Sequence, residues 1–125
     1  MLIVDDDTAA RETYKLVFGA KGFEFKEAAN GKIALEILKK DSVDIVFLDL
    51  AMPVMGGEEL MEKMLGDEKL KQIPILVETA QGTPGAGLDR KVQAKFGGKL
   101  KFVVFTRPGR LEDIMEAVDK MVTSA

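Results

Sequence analysis

The chain has 125 residues, of which 46% are hydrophobic and 31% charged, and its formal net charge is −3. This composition excludes intrinsic disorder, no apolar run approaches the roughly 20 residues of a membrane span, and three aspartates after the first four residues exclude a signal peptide. We therefore expect one cytoplasmic domain over residues 1–125, without a membrane partner. Because histidine and cysteine are both absent, imidazole bases, thiol nucleophiles, disulfides and zinc–thiolate sites are excluded as well.

Apolar residues follow two periodicities in turn along the whole chain. Short runs rich in β-branched residues are typical of strands covered on both faces, and strict alternation is typical of edge strands. The strands predicted in this way cover residues 2–4, 23–26, 45–48, 73–77 and 99–105. Apolar stripes at helical spacing predict a helix after each strand: around Phe18, after Asn30 as N-cap, around Met61, over 88–96 and over 111–122.

Five strands that alternate with five helices predict a parallel sheet with right-handed crossovers and helices on both faces. Residues 23–26 and 99–105 alternate as edge strands do, so the strand order 2-1-3-4-5 fits best. In a sheet of that order, ligands bind beyond the carboxyl ends of the strands, in the crevice between strands one and three.

Polar residues follow the predicted strands at this edge. They are Asp5 and Asp6 after the first strand, Asp49 after the third, Thr79 after the fourth and Arg107 after the fifth. Three carboxylates about 5 Å apart repel by roughly 3 kcal/mol per pair at an effective dielectric of about 20, which favours a bound cation. Oxygen ligands suit Mg²⁺, and Thr79 and Arg107 add donors for a phosphoryl group. Asp49 is then the candidate nucleophile, since a carboxylate can accept a phosphoryl group as an acyl phosphate.

Each of these residue types also has an ordinary structural role. An acid after a strand is often only a helix cap, a threonine there a turn residue and an arginine a surface charge. We expect Asp7 to have such a role, as the cap of the helix that begins at Thr8. The coincidence of several such residues on one edge of the sheet is what favours a binding site.

Charge is distributed unevenly along the chain. Residues 87–110 contain seven basic residues and one acid, a net +6, so the remaining residues sum to −9. A solvated basic face and a docking face for a partner are both open interpretations. The overall acidity predicts no direct nucleic acid binding. Residues 81–87 are rich in glycine but lack Gly-Lys-Ser/Thr, so they predict a mobile connection and no P-loop.

Three longer motifs occur in order: LIVDDD at residues 2–7, IVFLDLAMPVMGG at 45–57 and PILVETA at 74–80. In these motifs the chain resembles the receiver domain of bacterial two-component response regulators, which has a flavodoxin-like (βα)5 fold, a three-layer sandwich. The resemblance extends over nearly the whole chain, and the spacings of the aspartates and of the threonine agree with it.

The resemblance implies that Asp49 accepts a phosphoryl group from a sensor histidine kinase or a histidine phosphotransfer protein. The domain would catalyse its own phosphorylation and dephosphorylation and would not be a stand-alone enzyme. The resemblance also implies direct Mg²⁺ ligands at Asp6, Asp49 and the backbone carbonyl of Ala51, with Asp5 acting through water. An output partner or output domain would bind through the face formed by the fourth helix, fifth strand and fifth helix.

Thr79 would, by the same resemblance, hydrogen-bond the phosphoryl oxygens after transfer. Arg107 stands where the family has a lysine, and its longer, planar side chain need not follow the same path. The 28 positions from Thr79 to Arg107 exceed the usual interval, so we expect a remodelled fourth helix and fifth strand. The aromatic switch position of the fifth strand is then either Phe102 or Val104.

These departures leave a second hypothesis open, a pseudo-receiver that binds partners or dimerises without phosphorylation. A third class, a hydrolytic phosphatase with an aspartate nucleophile, needs a second acid two residues after the first. Ala51 occupies that position, which argues against this class.

Overall fold

The computed structural model of the chain describes residues 1–50, 55–80, 88–107 and 111–123. Strands and α-helices alternate along these residues, and a 3₁₀ turn at Leu70–Gln72 precedes the fourth strand. The strands are β1 (Leu2–Val4), β2 (Lys26–Ala28), β3 (Val46–Asp49), β4 (Ile75–Ala80) and β5 (Phe102–Arg107). The helices are α1 (Thr8–Gly19), α2 (Gly31–Lys40), α3 (Gly57–Leu65), α4 (Leu88–Phe96) and α5 (Leu111–Thr123). Within the described ranges, none of these helices has the length and apolar character needed to cross a bilayer.

The five strands form one parallel sheet in the order β2-β1-β3-β4-β5. This confirms the predicted α/β class and the predicted strand order. The direction in which strands are added reverses between β1 and β3. The carboxyl ends of these two strands therefore border the crevice in which such sheets bind ligands.

The later strands extend further toward their carboxyl ends than the apolar runs predicted. β3 ends at Asp49, β4 at Ala80 and β5 at Arg107, so the polar residues expected after these strands are inside them. Thr79, for example, pairs in register with Thr106. The physical reason is that backbone hydrogen bonds define a strand, whereas an apolar run marks only the part whose side chains reach the core.

The prediction of the second strand at residues 23–26 is wrong, because β2 begins only at Lys26. Phe23 and Phe25 pack instead, partly buried, against the apolar cluster that includes Phe18 of α1. Pairing with β1 starts where the Lys26 amide donates to the Met1 carbonyl at 3.0 Å. β2 is an edge strand as predicted, and two of its three residues are exposed.

Each face of the sheet carries its own apolar core. One cluster joins the sheet to α2, α3 and α4 and includes Leu48 and Met61. The other joins the sheet to α1 and α5 and includes Phe47 and Phe18. All four side chains are almost completely buried. Because side chains alternate along a strand, residues two positions apart point to the same core.

Two predicted helix caps are present. The Asp7 carboxylate accepts a hydrogen bond from the Ala9 amide at 3.0 Å, and the Asn30 side-chain oxygen accepts one from the Ile33 amide at 2.9 Å. Each bond satisfies an amide that the first turn of a helix leaves without a partner. Asp7 thereby starts α1 within three residues of the end of β1.

Gly57 begins α3 where its backbone touches the end of β3. A Cβ on Gly57 would lie 2.8 Å from the Asp49 carbonyl oxygen and 2.8 Å from Leu50 Cα. We expect Gly57→Ala to lower the free energy of unfolding by about 1 to 1.5 kcal/mol, because the backbone beside Asp49 must move. Gly66→Ala, at the other end of the helix, is the matched control, since its Cβ would meet the Lys63 carbonyl at an ordinary 3.7 Å. Urea unfolding compares the two variants, and equal stabilities would contradict the prediction.

Candidate functional site

Three carboxylates converge at the carboxyl ends of β1 and β3. Asp5 and Asp6 directly follow β1, and Asp49 is the last residue of β3. Their carboxylate oxygens lie within 4.8 Å of one another. Asp5 is 1% exposed and Asp49 8%, whereas Asp6 faces solvent. The structure therefore brings together the three acids that the sequence analysis placed on one edge of the sheet.

This cluster offers hard oxygen ligands and one side open to water. Two unit charges at this separation repel by roughly 3 kcal/mol at an effective dielectric of about 20, an upper figure here because Asp6 is hydrated. A divalent cation would offset the repulsion. The donor set fits Mg²⁺, which prefers oxygen, needs few protein ligands and keeps several of its waters.

Hydrogen bonds hold the acidic loop, residues 5–7, on both sides of Asp5. The Asp5 amide donates to the Ala28 carbonyl at 3.1 Å, and the Asp5 carboxylate accepts from the Asp7 amide at 2.9 Å. The Asp5 carbonyl accepts from the guanidinium of Arg11 at 2.6 Å. These hydrogen bonds give the loop a defined backbone conformation.

Thr79 and Arg107 lie on the strands next to the cluster. Thr79, 7% exposed, is on β4 beside β3, and its hydroxyl donates a long 3.5 Å hydrogen bond to the Phe105 carbonyl of β5. Arg107 ends β5 opposite Ala80, two strands away from β3, which is about 10 Å at ordinary strand spacing. Ala51, the predicted carbonyl ligand of Mg²⁺, is outside the described residues.

The register of β5 bears on the choice between Phe102 and Val104 as the switch position. Val104 pairs with Val77, two residues before Thr79, whereas Phe102 pairs with Ile75 and is farther from it. Both side chains pack, partly buried, against the core on the α2–α4 face. We therefore expect Val104 to occupy this position.

Sequence reasoning missed Glu78, a buried acid next to the cluster. Glu78 is 3% exposed and pairs in register with Asp49 on the neighbouring strand. The hydroxyl of Tyr14 on α1 donates to its carboxylate and lies 2.7 and 2.6 Å from the two oxygens. The Tyr14 ring packs on Phe47, with 4.2 Å between ring centroids. An acid inside an otherwise apolar strand motif was the signal that could have identified Glu78.

The fold divides the basic segment. Lys91 and Lys95 of α4 lie 3.6 and 3.4 Å from the carboxylate of Glu58 on α3, and Lys95 also pairs with Glu62. Residues 99–101 lie instead just before β5, at the amino ends of the strands, whereas the acidic cluster lies at the carboxyl ends. The described part of this segment therefore does not form one continuous basic face.

A family model described as the response regulator receiver domain matches residues 1–119 of the chain. Sporulation initiation phosphotransferase F of Bacillus subtilis is 35% identical over 121 residues, which are 96% of this chain and 90% of that protein. Chemotaxis protein CheY-3 of Vibrio cholerae is 34% identical over 122 residues, which are 97% of this chain and 89% of that protein. The similarity thus extends along almost the whole of each sequence.

Solved structures show the same flavodoxin-like architecture. Chemotaxis protein CheY4 of Vibrio cholerae has a TM-score of 0.79 at 25% identity, covering 96% of this chain and 95% of that chain. The signal receiver domain of a histidine kinase from Syntrophus aciditrophicus has a TM-score of 0.84, covering 99% and 89%, and at 23% identity its likeness is one of fold. With the strand order, the acidic cluster and the match over residues 1–119, the chain belongs to the response regulator receiver domain family.

Proposed function

We propose that this receiver domain takes a phosphoryl group on Asp49 and responds by switching a protein-binding face. The observation that carries the proposal is the convergence of Asp5, Asp6 and Asp49, whose carboxylate oxygens lie within 4.8 Å of one another. Membership of the receiver family supports the same function, because phosphoacceptance is typical of that family.

Mg²⁺ is the ion that we assign to the cluster. The carboxylates of Asp6 and Asp49 and the backbone carbonyl of Ala51 would hold it directly, and Asp5 would act through water. When bound, the ion supplies positive charge that neutralises the carboxylates and the oxygens of the transferring phosphoryl group. The open side at Asp6 leaves room for the waters that Mg²⁺ retains.

In the transfer step, a carboxylate oxygen of Asp49 attacks the phosphorus of a phosphohistidine. A phosphorus–oxygen bond forms as the phosphorus–nitrogen bond breaks, and the leaving imidazole takes up a proton. The chain has no histidine, so the donor belongs to a partner. Receiver domains of this family interact with histidine kinases and phosphotransfer proteins, and one of these is the donor that we infer. Asp49 is only 8% exposed and the neighbouring Asp6 faces solvent, so we expect the donor to approach from the side of Asp6.

After transfer, the hydroxyl of Thr79 is the group that senses the phosphoryl oxygens. Its 3.5 Å bond to the Phe105 carbonyl is near the limit for a hydrogen bond, and a bond to a phosphoryl oxygen would be shorter and charge-assisted. If Thr79 gave up its bond to the Phe105 carbonyl for a bond to a phosphoryl oxygen, its side chain would move away from β5. Val104 lies on β5 next to the place that Thr79 would leave. If the phosphoryl group interacts more favourably with one state than with the other by a few kcal/mol, the population shifts toward that state. A partner would then recognise that state at the face formed by α4, β5 and α5. Arg107, at the end of β5, is a further donor that we assign to the phosphoryl group.

We also infer that residues 1–125 form one receiver domain, that it is cytoplasmic and that it does not bind nucleic acid directly. The net charge of −3 supports the last point. So does the pairing of Lys91 and Lys95 with acids of α3, because paired lysines are less available to phosphates.

Intact mass measurement after incubation with Mg²⁺ and acetyl phosphate tests the proposal. We expect a gain of one phosphoryl group in the unmodified chain and none in Asp49→Asn or in EDTA. Asp7→Asn is the matched control: Asp7 belongs to the same loop but caps α1, so this variant should still be phosphorylated. No gain in the unmodified chain with Mg²⁺ would refute phosphoacceptance and favour the pseudo-receiver.

A further inference from the structure

Arg11 on α1 extends its side chain toward the acidic loop, residues 5–7, and the side chain is only 15% exposed. Its Nη1 donates to the Asp5 carbonyl at 2.6 Å, and its Nη2 donates to the Thr8 hydroxyl at 3.3 Å. Its Nε donates to the carboxylate of Glu27 on β2 at 3.1 Å. A planar guanidinium bonded through three nitrogens has little freedom, so Arg11 ties the loop to α1 and β2.

Glu27 anchors the other end of this arrangement. Its pKa lies below the usual value because Lys15 and Arg11 both donate hydrogen bonds to the carboxylate, Lys15 with the larger effect. Glu27 would be ionised at neutral pH even without Lys15, as a carboxyl group of ordinary pKa is, and its bond from Arg11 Nε holds the guanidinium beside the loop.

Arg11 contacts the backbone of the loop through the carbonyl of Asp5. That carbonyl belongs to the peptide group that joins Asp5 to Asp6, so the guanidinium fixes the orientation of this peptide. The Asp5 carboxylate is fixed separately by the amide of Asp7. The two bonds together fix the carboxylate of Asp5 and the backbone from which the side chain of Asp6 projects.

Mg²⁺ and Ca²⁺ make different demands on such a loop. Mg²⁺ requires nearly ideal octahedral geometry with oxygens at about 2.1 Å, whereas Ca²⁺ accepts irregular geometry and distances of about 2.4 Å. A rigid loop with suitably placed oxygens favours Mg²⁺. A loosened loop therefore loses affinity for Mg²⁺ more than for Ca²⁺.

We propose that Arg11 is a positioning residue that sets the preference of the acidic cluster for Mg²⁺ over Ca²⁺ by fixing the peptide between Asp5 and Asp6. This inference rests on the proposed function, because it takes the cluster to be a divalent-cation site. A purely electrostatic role of Arg11 predicts the opposite sign. Loss of a positive charge near three carboxylates would strengthen the binding of both dications by a similar factor. The ratio of the two dissociation constants isolates the positioning effect.

Calorimetric titration of the metal-free protein with Mg²⁺ and with Ca²⁺ measures this ratio. We expect Arg11→Met to weaken Mg²⁺ binding by about tenfold and Ca²⁺ binding by about threefold or less, so that selectivity falls by about threefold or more. Arg11→Lys keeps the charge but loses the planar set of donors, and its selectivity should fall as well. Lys15→Met is the matched control, because it removes a positive charge from the same helix but leaves the bonds of Arg11 to Glu27, Asp5 and Thr8 in place.

Thermal unfolding of each metal-free variant shows that it is folded at the titration temperature. A merely structural role of Arg11 would lower the Tm without changing the ratio. Equal changes for the two ions, tighter Mg²⁺ binding in Arg11→Met, or the same loss of selectivity in Lys15→Met would overturn the inference. If the unmodified chain bound no Mg²⁺ at all, the proposed metal site would fail and this inference with it.

Discussion

In EDTA, Asp49→Asn should unfold at a higher temperature than the unmodified chain. Asp49 takes part in two of the three carboxylate pairs, and the oxygens of all three acids lie within 4.8 Å of one another. Each pair costs about 3 kcal/mol at a dielectric of about 20, and water around the exposed Asp6 reduces this figure. We expect the free energy of unfolding to rise by about 2 to 3 kcal/mol, which corresponds to about 10 °C in Tm.

Asp6→Asn provides the matched comparison for this result. It also removes two of the three pairs, but Asp6 faces solvent, so its gain in Tm should be smaller. Mg²⁺ should reverse the order, because ion binding stabilises the unmodified chain by mass action and Asp49→Asn has lost a ligand. Scanning calorimetry in EDTA and in Mg²⁺ provides the four comparisons. A Tm of Asp49→Asn below that of the unmodified chain in EDTA would contradict the repulsion argument.

The strand order and most of the helices could be predicted from the sequence because burial imposes a periodicity on it. The stripe over residues 88–96 is short, yet α4 has the predicted bounds. The ends of the strands could not be predicted as well from this periodicity. Asp49 and Thr79 remain in the hydrogen-bonded ladder after the apolar run has ended, and residues 23–26 alternate in sequence although only Lys26 belongs to β2.

The acidic cluster could be predicted because a parallel sheet brings the carboxyl ends of its strands to one edge. Predicting that Asp5, Asp6 and Asp49 lie together required no knowledge of side-chain conformations. Predicting the contacts of Glu78 and Arg11 would have required it, since Tyr14 is 64 positions from Glu78 and the guanidinium of Arg11 contacts a backbone carbonyl. A backbone carbonyl is present at every residue, so no residue type in the sequence indicates that contact.

Tyr14→Phe should lower the free energy of unfolding by about 2 kcal/mol. The variant removes the hydroxyl that donates to the buried carboxylate of Glu78, and hydrogen bonds to charged groups contribute about 1.5 to 3 kcal/mol. The phenyl ring keeps its contact with Phe47, so the variant tests the hydrogen bond with little loss of packing. Urea unfolding measures the change, and an unaltered m-value would show that the unfolded state is not responsible.

Glu78→Gln completes a double-mutant cycle with Tyr14→Phe. If the hydroxyl and the carboxylate act as one unit, the double variant should lose less than the sum of the single losses, by about 1 kcal/mol or more. Strict additivity would show that the two groups contribute independently.

Tyr14 is the only tyrosine and the chain has no tryptophan, so its fluorescence reports on this site alone. Because a carboxylate acceptor quenches phenol emission, Glu78→Gln should increase the tyrosine fluorescence of the folded protein.

Glu78 pairs in register with Asp49, and its carbonyl accepts the Leu50 amide at 3.1 Å. Coupling in this cycle would therefore mean that α1 stabilises the strand ends on which the proposed phosphoacceptor lies.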